Sequence, residues 1–287
     1  MNEYGKVIVD ASLESLNTFR LKSKVKYLIY PYKDKLIDLI KYLKENNIKY
    51  FLLGGGSNII LADTYYDGVF ISLKEFKNYE IKDNLAYVDS GINLTYLISS
   101  LNKLGYNNMA KLYGIPGQLG GAVVGNAHFL DDNIYNHLVK VIYLDENENL
   151  NEITKEQLVE NNIFQKGSNI ILKVILRVFY DKQINYDSII KNNMEKRKNS
   201  QPLEYPSAGC MFSNPPGYSA GALIDKECNL KGTNVGGAKV SFKHANFIIN
   251  DNNATGNDII KLVDLIKKEV KKKTDIDLDL EQKIIKW

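Results

Sequence analysis

The stretch Tyr113–Ala127, reading Y-G-I-P-G-Q-L-G-G-A-V-V-G-N-A, has five glycines and a proline in fifteen positions and no charged side chain. Such a segment cannot present a charged surface, and it lets another group come very close to its backbone. Glycine permits positive φ and leaves main-chain N–H groups without a shielding Cβ, which is how phosphates are commonly cradled. A tight buried turn between strands would use the same residues, so both readings stand at this point. A second cluster, Leu53–Asn58 (L-G-G-G-S-N), lies between the apolar runs Tyr50–Leu53 and Ile59–Leu61. Neither cluster reads G-x-G-x-x-G. The residues after Leu61 do not continue with helical periodicity, so a Rossmann phosphate site is excluded there. Two glycine turns, each flanked by short strands, point to a cofactor pinned between two lobes.

With 287 residues, 44% of them hydrophobic, the chain can bury substantial cores, and two or three lobes are expected. A formal charge of +3 with scattered lysines gives no electrostatic footprint for nucleic acid. The N-terminus lacks the apolar core of a secretory signal, and no run of eighteen apolar residues occurs. The expectation is a soluble, cytoplasmic protein without membrane attachment. Cys210 and Cys228 are too few for a disulfide framework, and His128, His137 and His244 form no ligand pattern, so no structural metal is expected.

In chain order, Leu36, Ile37, Leu39, Ile40 and Leu43 recur at helical spacing and stop at Asn46-Asn47. A strand over Lys49–Leu53 leads into the first glycine turn. Asp67-Gly68 reads as a turn, with strands over Val69–Leu73 and Ala86–Val88 after it. Asn93 is placed to cap a helix carrying Leu94, Leu97, Ile98, Leu101 and Leu104 on one face, with Gly105 just past its end. Strands are expected over Val139–Leu144 and Ile170–Tyr180. A helix from Tyr186 to Arg197, with Ile189, Ile190 and Met194 inward, runs toward Pro202. Ile259, Ile260, Leu262, Val263, Ile266 and Val270 form a closing helix, and Lys283–Ile285 a final strand. These elements divide the chain into segments 1–75, 76–182 and 183–287.

Four blocks now stand in order: F-L-L-G-G-G-S-N-I-I, the Tyr113–Ala127 stretch, Q-P-L-E-Y-P-S-A-G-C-M-F-S-N-P-P-G, and G-G-A-K-V-S-F-K-H-A-N-F-I-I-N. Together they resemble the UDP-N-acetylenolpyruvoylglucosamine reductases (MurB), in the shorter, type II-like form. The resemblance implies an α+β fold: a two-lobed FAD-binding region of the vanillyl-alcohol-oxidase (PCMH) type, then a C-terminal α+β substrate domain. It implies FAD held by Gly54, Gly55, Gly56, Ser57 and Asn58 and by Gly114, Ile115, Pro116, Gly117, Gly120, Gly121, Ala122, Asn126 and Ala127, with Gly237 to His244 contributing from the third segment. It further implies reduction of the flavin by NADPH, transfer of hydride to UDP-N-acetylglucosamine enolpyruvate, and a role in peptidoglycan synthesis, with a monomer expected.

Hydride addition leaves negative charge beside the substrate carboxylate, so the site must stabilise an enolate and supply a proton. The family's donor is a serine in G-S-x-F, and the matching residue is Cys210 in Gly209-Cys210-Met211-Phe212. A thiol of ordinary pKa ~8.5 is a far stronger acid than a hydroxyl, at the cost of sensitivity to oxidation. The family's assisting glutamate aligns with Glu281, with Asp279 as the alternative register, and Asn214 helps shape the sugar-nucleotide pocket. The family's arginine in Y-R-x-S aligns with Glu160, whose charge is wrong for a carboxylate partner, so Lys166 is the substitute cation, though without a bidentate grip. Lys22-Ser23 and His128 stand where the family has small residues. Two other readings remain open: an FAD-containing paralogue of the same fold acting on another acid, and a flavin- or UDP-sugar-binding protein without turnover.

Overall fold

The structure is a computed structural model describing residues 1–161, 163–164 and 169–287. Lys166 lies outside the described residues. The chain packs as two compact units, each drawn from separated segments. The first comprises Met1–Val9, Tyr27–Gly55 and Gly68–Met194, and the second Asp10–Lys26, Gly56–Asp67 and Glu195–Trp287. The first 75 residues are thus shared between two packing units, and so are the residues of the first glycine turn.

In the first unit a five-stranded antiparallel sheet runs in the order Leu150–Thr154, Leu138–Leu144, Ile170–Arg177, Leu85–Asp89, Tyr79–Lys82. Leu138–Leu144 buries Leu138, Val141 and Leu144, every third residue, because its register against Ile170–Arg177 shifts twice. A bulged strand does not keep period-2 alternation, which explains the weak pattern in the sequence. Helix Leu94–Lys103 buries Leu94, Leu97, Ile98 and Leu101 against this sheet's core with Val88, Val141 and Val174. Its N-cap is Asn93, whose side chain accepts from the Tyr96 amide at 2.9 Å, and Gly105 follows at φ +91°. Leu104, expected on the apolar face, is 57% exposed, since the helix already ends at Lys103. A second core in this unit gathers Leu36, Leu39, Ile40 and Leu43 of helix Leu36–Glu45 with Ile29, Val69 and Ile71. Each such side chain contributes about 2 kcal/mol of transfer free energy.

Three further expectations are corrected. Asp67-Gly68 is no turn: it lies inside the strand Tyr65–Ile71, where Asp67 pairs with Lys26 at 2.8 Å on the neighbouring strand Lys24–Pro31. The strand from Ile170 stops at Arg177 because the next amides leave the ladder for side chains, Phe179 N donating to Asn108 Oδ1 and Asp181 N to Asn107 Oδ1. In helix Tyr186–Ser200 it is Asn193, not Met194, that is buried, with its Nδ2 donating to the Lys111 carbonyl at 3.2 Å.

The second unit is built on helix Gly256–Thr274, started by a capping box in which Thr255 and Asp258 each accept the other's amide. Ile259, Leu262, Val263, Ile266 and Val270 are buried, and the helix packs on the small antiparallel sheet Asn234–Val235, Ala238–Val240, Ile248–Asn250. Beside it, Ile59–Leu61 pairs in parallel with Lys283–Ile285. Among the described residues no helix is long and apolar enough to cross a membrane, and no group of three or more His, Cys, Asp or Glu side chains could hold a metal ion.

The loop before residue 24 is organised from inside by Asn17, which is 3% exposed. Its Nδ2 donates to the carbonyls of Leu13 (2.8 Å) and Leu21 (3.1 Å), and its Oδ1 accepts from Leu21 N (2.9 Å). Removing it takes these partners from both the amide and the carbonyl of buried Leu21 and leaves the Leu13 carbonyl with the Leu16 amide alone. Asn17→Ala is expected to lower stability by about 3 kcal/mol, read as a drop in urea midpoint at constant m-value.

Candidate functional site

The two glycine stretches meet inside the first unit. A Cβ built on Gly55 would lie 2.5 Å from Gly117 Cα and 3.1 Å from Gln118 N, so backbone packs on backbone and no side chain fits between. The Gly114–Gln118 turn is braced by the start of helix Leu94–Lys103. Leu94 N donates to the Gly117 carbonyl at 3.1 Å, and Asn93 and Gln118 form an isolated bridge. Thr95 Oγ1 accepts from Gly114 N at 3.2 Å and donates to the Ile115 carbonyl at 3.4 Å. The Tyr113–Ala127 stretch is not a turn between two strands, as the sequence implied, since Leu119–Val124 is helical. Gly120 sits on Ser90, its amide donating to the Ser90 carbonyl at 2.8 Å. Ala127 N closes the segment on Ala122 O at 2.8 Å, and Asn126 adopts φ +41°.

Gly54 and Gly121 differ from their neighbours. Neither has positive φ, and a Cβ on either would meet nothing within 4 Å, so no contact within the protein demands glycine there. Among the described residues the amides of Gly54 and Gly55 meet no acceptor. Ser90 Oγ, beside Gly120, is likewise buried without a partner. Buried or sheltered donors are rarely left unmet. Open space at two glycines, unpaired amides and one orphaned hydroxyl at the same turns fit a bound group with anionic and carbonyl acceptors, as FAD has.

In the second unit Gly56 faces inward: a Cβ would lie 1.9 Å from Leu16 O, and its own carbonyl accepts from Thr18 N at 3.0 Å. Ser57 follows it. Asn58 is engaged with the chain's last strand, its Nδ2 donating to Glu281 O (3.1 Å) and its carbonyl accepting from Lys283 N (3.1 Å). The residues just before that strand also hold the Cys210 segment. Phe212 and Leu280 form an isolated bridge, Glu281 N donates to Met211 O at 3.0 Å, and Ser213 N to Asp279 O at 2.9 Å. Asn246 grips the other side, with Oδ1 accepting from Phe212 N (2.9 Å) and Nδ2 donating to Phe212 O (2.8 Å).

Burial pushes the Cys210 thiol up to about 11, and the charge of Glu281 adds to the rise. At neutral pH the proton therefore stays on sulfur, with thiolate near 1 part in ~10⁴. This corrects the expected sensitivity to oxidation, because reactivity follows the thiolate and the thiolate is suppressed. The carboxylate whose charge acts on the thiol is that of Glu281. The site thus keeps an undissociated acid beside a carboxylate.

The remaining predicted residues are placed as follows. Gly237 is explained by packing, since a Cβ would lie 2.1 Å from Asn252 O. His244 Nδ1 accepts from Asn246 N at 3.2 Å, and its ring lies 4.9 Å from that of Phe247. Burial, and then Lys231, lower its pKa, so it is neutral at pH 7. Asn214 Oδ1 accepts from Ala220 N at 2.9 Å. Glu160 is exposed on helix Lys155–Asn161, and His128 is exposed as well. Sequence reasoning passed over Asn246 and Gln282. Asn246 stands in a quoted motif, and Gln282 is a buried polar residue between exposed Glu281 and Lys283, which strand alternation could have flagged.

A cavity of about 260 Å³ in the first unit is lined by Asn108, Lys111, Asp132 and His137 among others. Asn108 Nδ2 donates to His137 Nδ1, so His137 Nε2–H donates to Asp132 at 3.0 Å. Burial alone would raise the Asp132 carboxyl, but its bonds with His137, Asn136 and Asn133 hold it below its usual value. The polar groups satisfy one another, which makes this a structural network.

Gly55→Ala is expected to cut flavin retention at least tenfold without unfolding the chain, read from the flavin-to-protein absorbance ratio alongside circular dichroism. At pH 8, Cys210 is expected to react with iodoacetamide at least about tenfold more slowly than glutathione, followed by mass spectrometry.

Comparison with known proteins bears on the family and the fold. The family pattern described as "FAD binding domain" matches residues 27–153, and that described as "UDP-N-acetylenolpyruvoylglucosamine reductase, C-terminal domain" matches residues 201–285. The chain is 35% identical to the UDP-N-acetylenolpyruvoylglucosamine reductase of Caldanaerobacter subterraneus subsp. tengcongensis, over 98% of this chain and 94% of that protein. It is 34% identical to the reductase of the same name from Fusobacterium nucleatum subsp. nucleatum, over 98% and 100%. The crystal structure of UDP-N-acetylenolpyruvylglucosamine reductase (MurB) from Thermus caldophilus superposes with a TM-score of 0.78 at 28% identity, covering 98% of each chain. Mixed helix and strand content, an FAD-binding region and a separate C-terminal domain follow the expected fold, and the chain belongs to the UDP-N-acetylenolpyruvoylglucosamine reductase family.

Proposed function

We infer that this chain is an FAD-dependent reductase that uses NADPH to convert UDP-N-acetylglucosamine enolpyruvate to UDP-N-acetylmuramate for peptidoglycan synthesis. It acts in the cytoplasm as a monomer, serving cell-wall biogenesis and with it cell shape and division. In this reading residues 1–75 and 76–182 carry the flavin, and 183–287 the sugar nucleotide. Bound FAD supplies the chemistry of hydride transfer from NADPH to the vinyl carbon of the substrate.

The residues of the chain do the rest. Gly54 and Gly121 are open glycine positions, and the amides of Gly54 and Gly55 have no acceptor among the described residues, so a diphosphate can approach there without steric cost. Cys210 gives the proton to the carbon beside the substrate carboxylate. The observation that carries this role is a thiol kept protonated up to about 11 in a segment whose next residue, Met211, accepts from the Glu281 amide. An acid of that strength loses nothing to ionisation at neutral pH and is still able to protonate a carbanion. Glu281 keeps the proton on sulfur before transfer, since its negative charge opposes thiolate formation. Asn214, set by Ala220, shapes the sugar-nucleotide pocket.

A second reading, an FAD enzyme of the same architecture acting on another acid, is favoured by one residue. Glu160 stands where the family has an arginine and is exposed on its helix. An anaerobic experiment separates the two. NADPH bleaches the flavin, and addition of the enolpyruvyl sugar nucleotide restores its colour if the first reading holds, whereas recovery by oxygen alone overturns it. In Cys210→Ala the colour recovery is expected to slow by about 100-fold or more, and normal recovery would remove Cys210 from the mechanism.

A further inference from the structure

Gln282 is a buried polar residue, 4% exposed, next to Glu281 and just before the strand Lys283–Ile285. Its Nε2 donates to two carbonyls of the same short turn, Ala208 O at 3.1 Å and Cys210 O in a shorter contact. Between them lies Gly209 at φ +80°, a conformation that costs other residues energy and that a single flexible glycine does not hold by itself. The Cys210 backbone is thus anchored by one amide from beneath, while the neighbouring Met211 is fixed on both sides by Glu281 N and by the Asn246 carbonyl. Gln282 Oε1 is buried with no partner among the described residues. An unmet buried acceptor destabilises a fold, and an apolar side chain of similar size would avoid that penalty. It would also leave the Ala208 and Cys210 carbonyls without their Gln282 donor, so the glutamine is explained by the turn it holds. What glutamine provides, and an apolar residue does not, is the pair of donors that lock the turn.

We propose that Gln282 is the positioning residue for Cys210, clamping the carbonyls on both sides of Gly209 so that the thiol keeps its place beside Glu281. This rests on the reading of Cys210 as proton donor, but it is tested apart from it. No covalent step involves Gln282, which acts only through the backbone of the turn. Without the clamp Gly209 is free to rotate, the thiol gains solvent, and the burial that holds its proton weakens.

The experiment uses the purified flavin-loaded protein and two variants, Gln282→Met, of similar size without donors, and Gln282→Asn, which keeps the amide on a shorter stem. The rate of Cys210 modification by iodoacetamide is followed by mass spectrometry from pH 7 to 10, with Cys228 as internal reference. For Gln282→Met the Cys210 rate at pH 8 is expected to rise about tenfold relative to Cys228, the fold-change of a one-unit fall in thiol pKa. Its flavin reoxidation by the enolpyruvyl sugar nucleotide is expected to slow at least tenfold more than its reduction by NADPH. Gln282→Asn should fall between Gln282→Met and the parent in both. An unaltered pH profile for Cys210 in both variants overturns the proposal, and should Gln282→Met fail to fold, Gln282→Asn decides by the same profile. A shifted profile together with normal turnover in Cys210→Ala would keep the positioning role and discard the proton-donor reading, so the two failures are told apart.

Discussion

The approach of Gly55 to Gly117 without a side chain between them is the constraint on which the first unit's site depends. A gap of 2.5 Å from a Cβ to an α-carbon cannot be relieved by a rotamer change, because both partners are main chain. The bracing from Asn93, Leu94 and Thr95 serves that approach, as it fixes the Gly114–Gln118 turn against the start of a well-buried helix. Flexible glycine segments lose much entropy on ordering, so such external support is what turns them into a defined surface. The open faces at Gly54 and Gly121 then have a rigid frame.

The second unit meets a different demand. It must hold a thiol in low-dielectric surroundings next to a carboxylate, and each condition raises the cost of ionising sulfur. A serine hydroxyl needs no such help to stay protonated, whereas cysteine at its ordinary pKa would be partly ionised in mildly alkaline solution. Burial and a nearby negative charge bring the thiol closer to the behaviour of a hydroxyl. The backbone ladder between residues 211–213 and 279–281, with Asn58 and Asn246 on either side, supplies the geometry.

Much of the frame was legible in the sequence where local signals and packing agree. Asn93, the apolar face of Leu94–Leu101 and Gly105 mark one helix unambiguously, and the stripe from Ile259 to Val270 marks another. Asp67-Gly68 misleads because a dipeptide rich in turn propensity is overruled by strand pairing and an ion pair to Lys26. The end of the Ile170 strand is set by Asn107 and Asn108, more than sixty residues away, and no local pattern contains that information. Cys210 was legible only through its motif, as an isolated cysteine reads as a small buried hydrophobe. Gln282 and Asn246 were not, because their roles lie in which carbonyls and amides they reach.

The parallel pairing of Ile59–Leu61 with Lys283–Ile285 joins segments far apart in the sequence. A ribosome releases the first of these strands long before it makes the second, so the early strand waits with an unmet edge while the intervening chain is produced. Loop closure across such a span is slow, and exposed edges invite wrong partners in the interval. Charged residues in and beside the late strand, Glu281, Lys283 and Lys286, keep its sequence soluble until it docks. Completion of the Cys210 turn, which leans on the residues just before that strand, accordingly waits until residues 279–282 have been made.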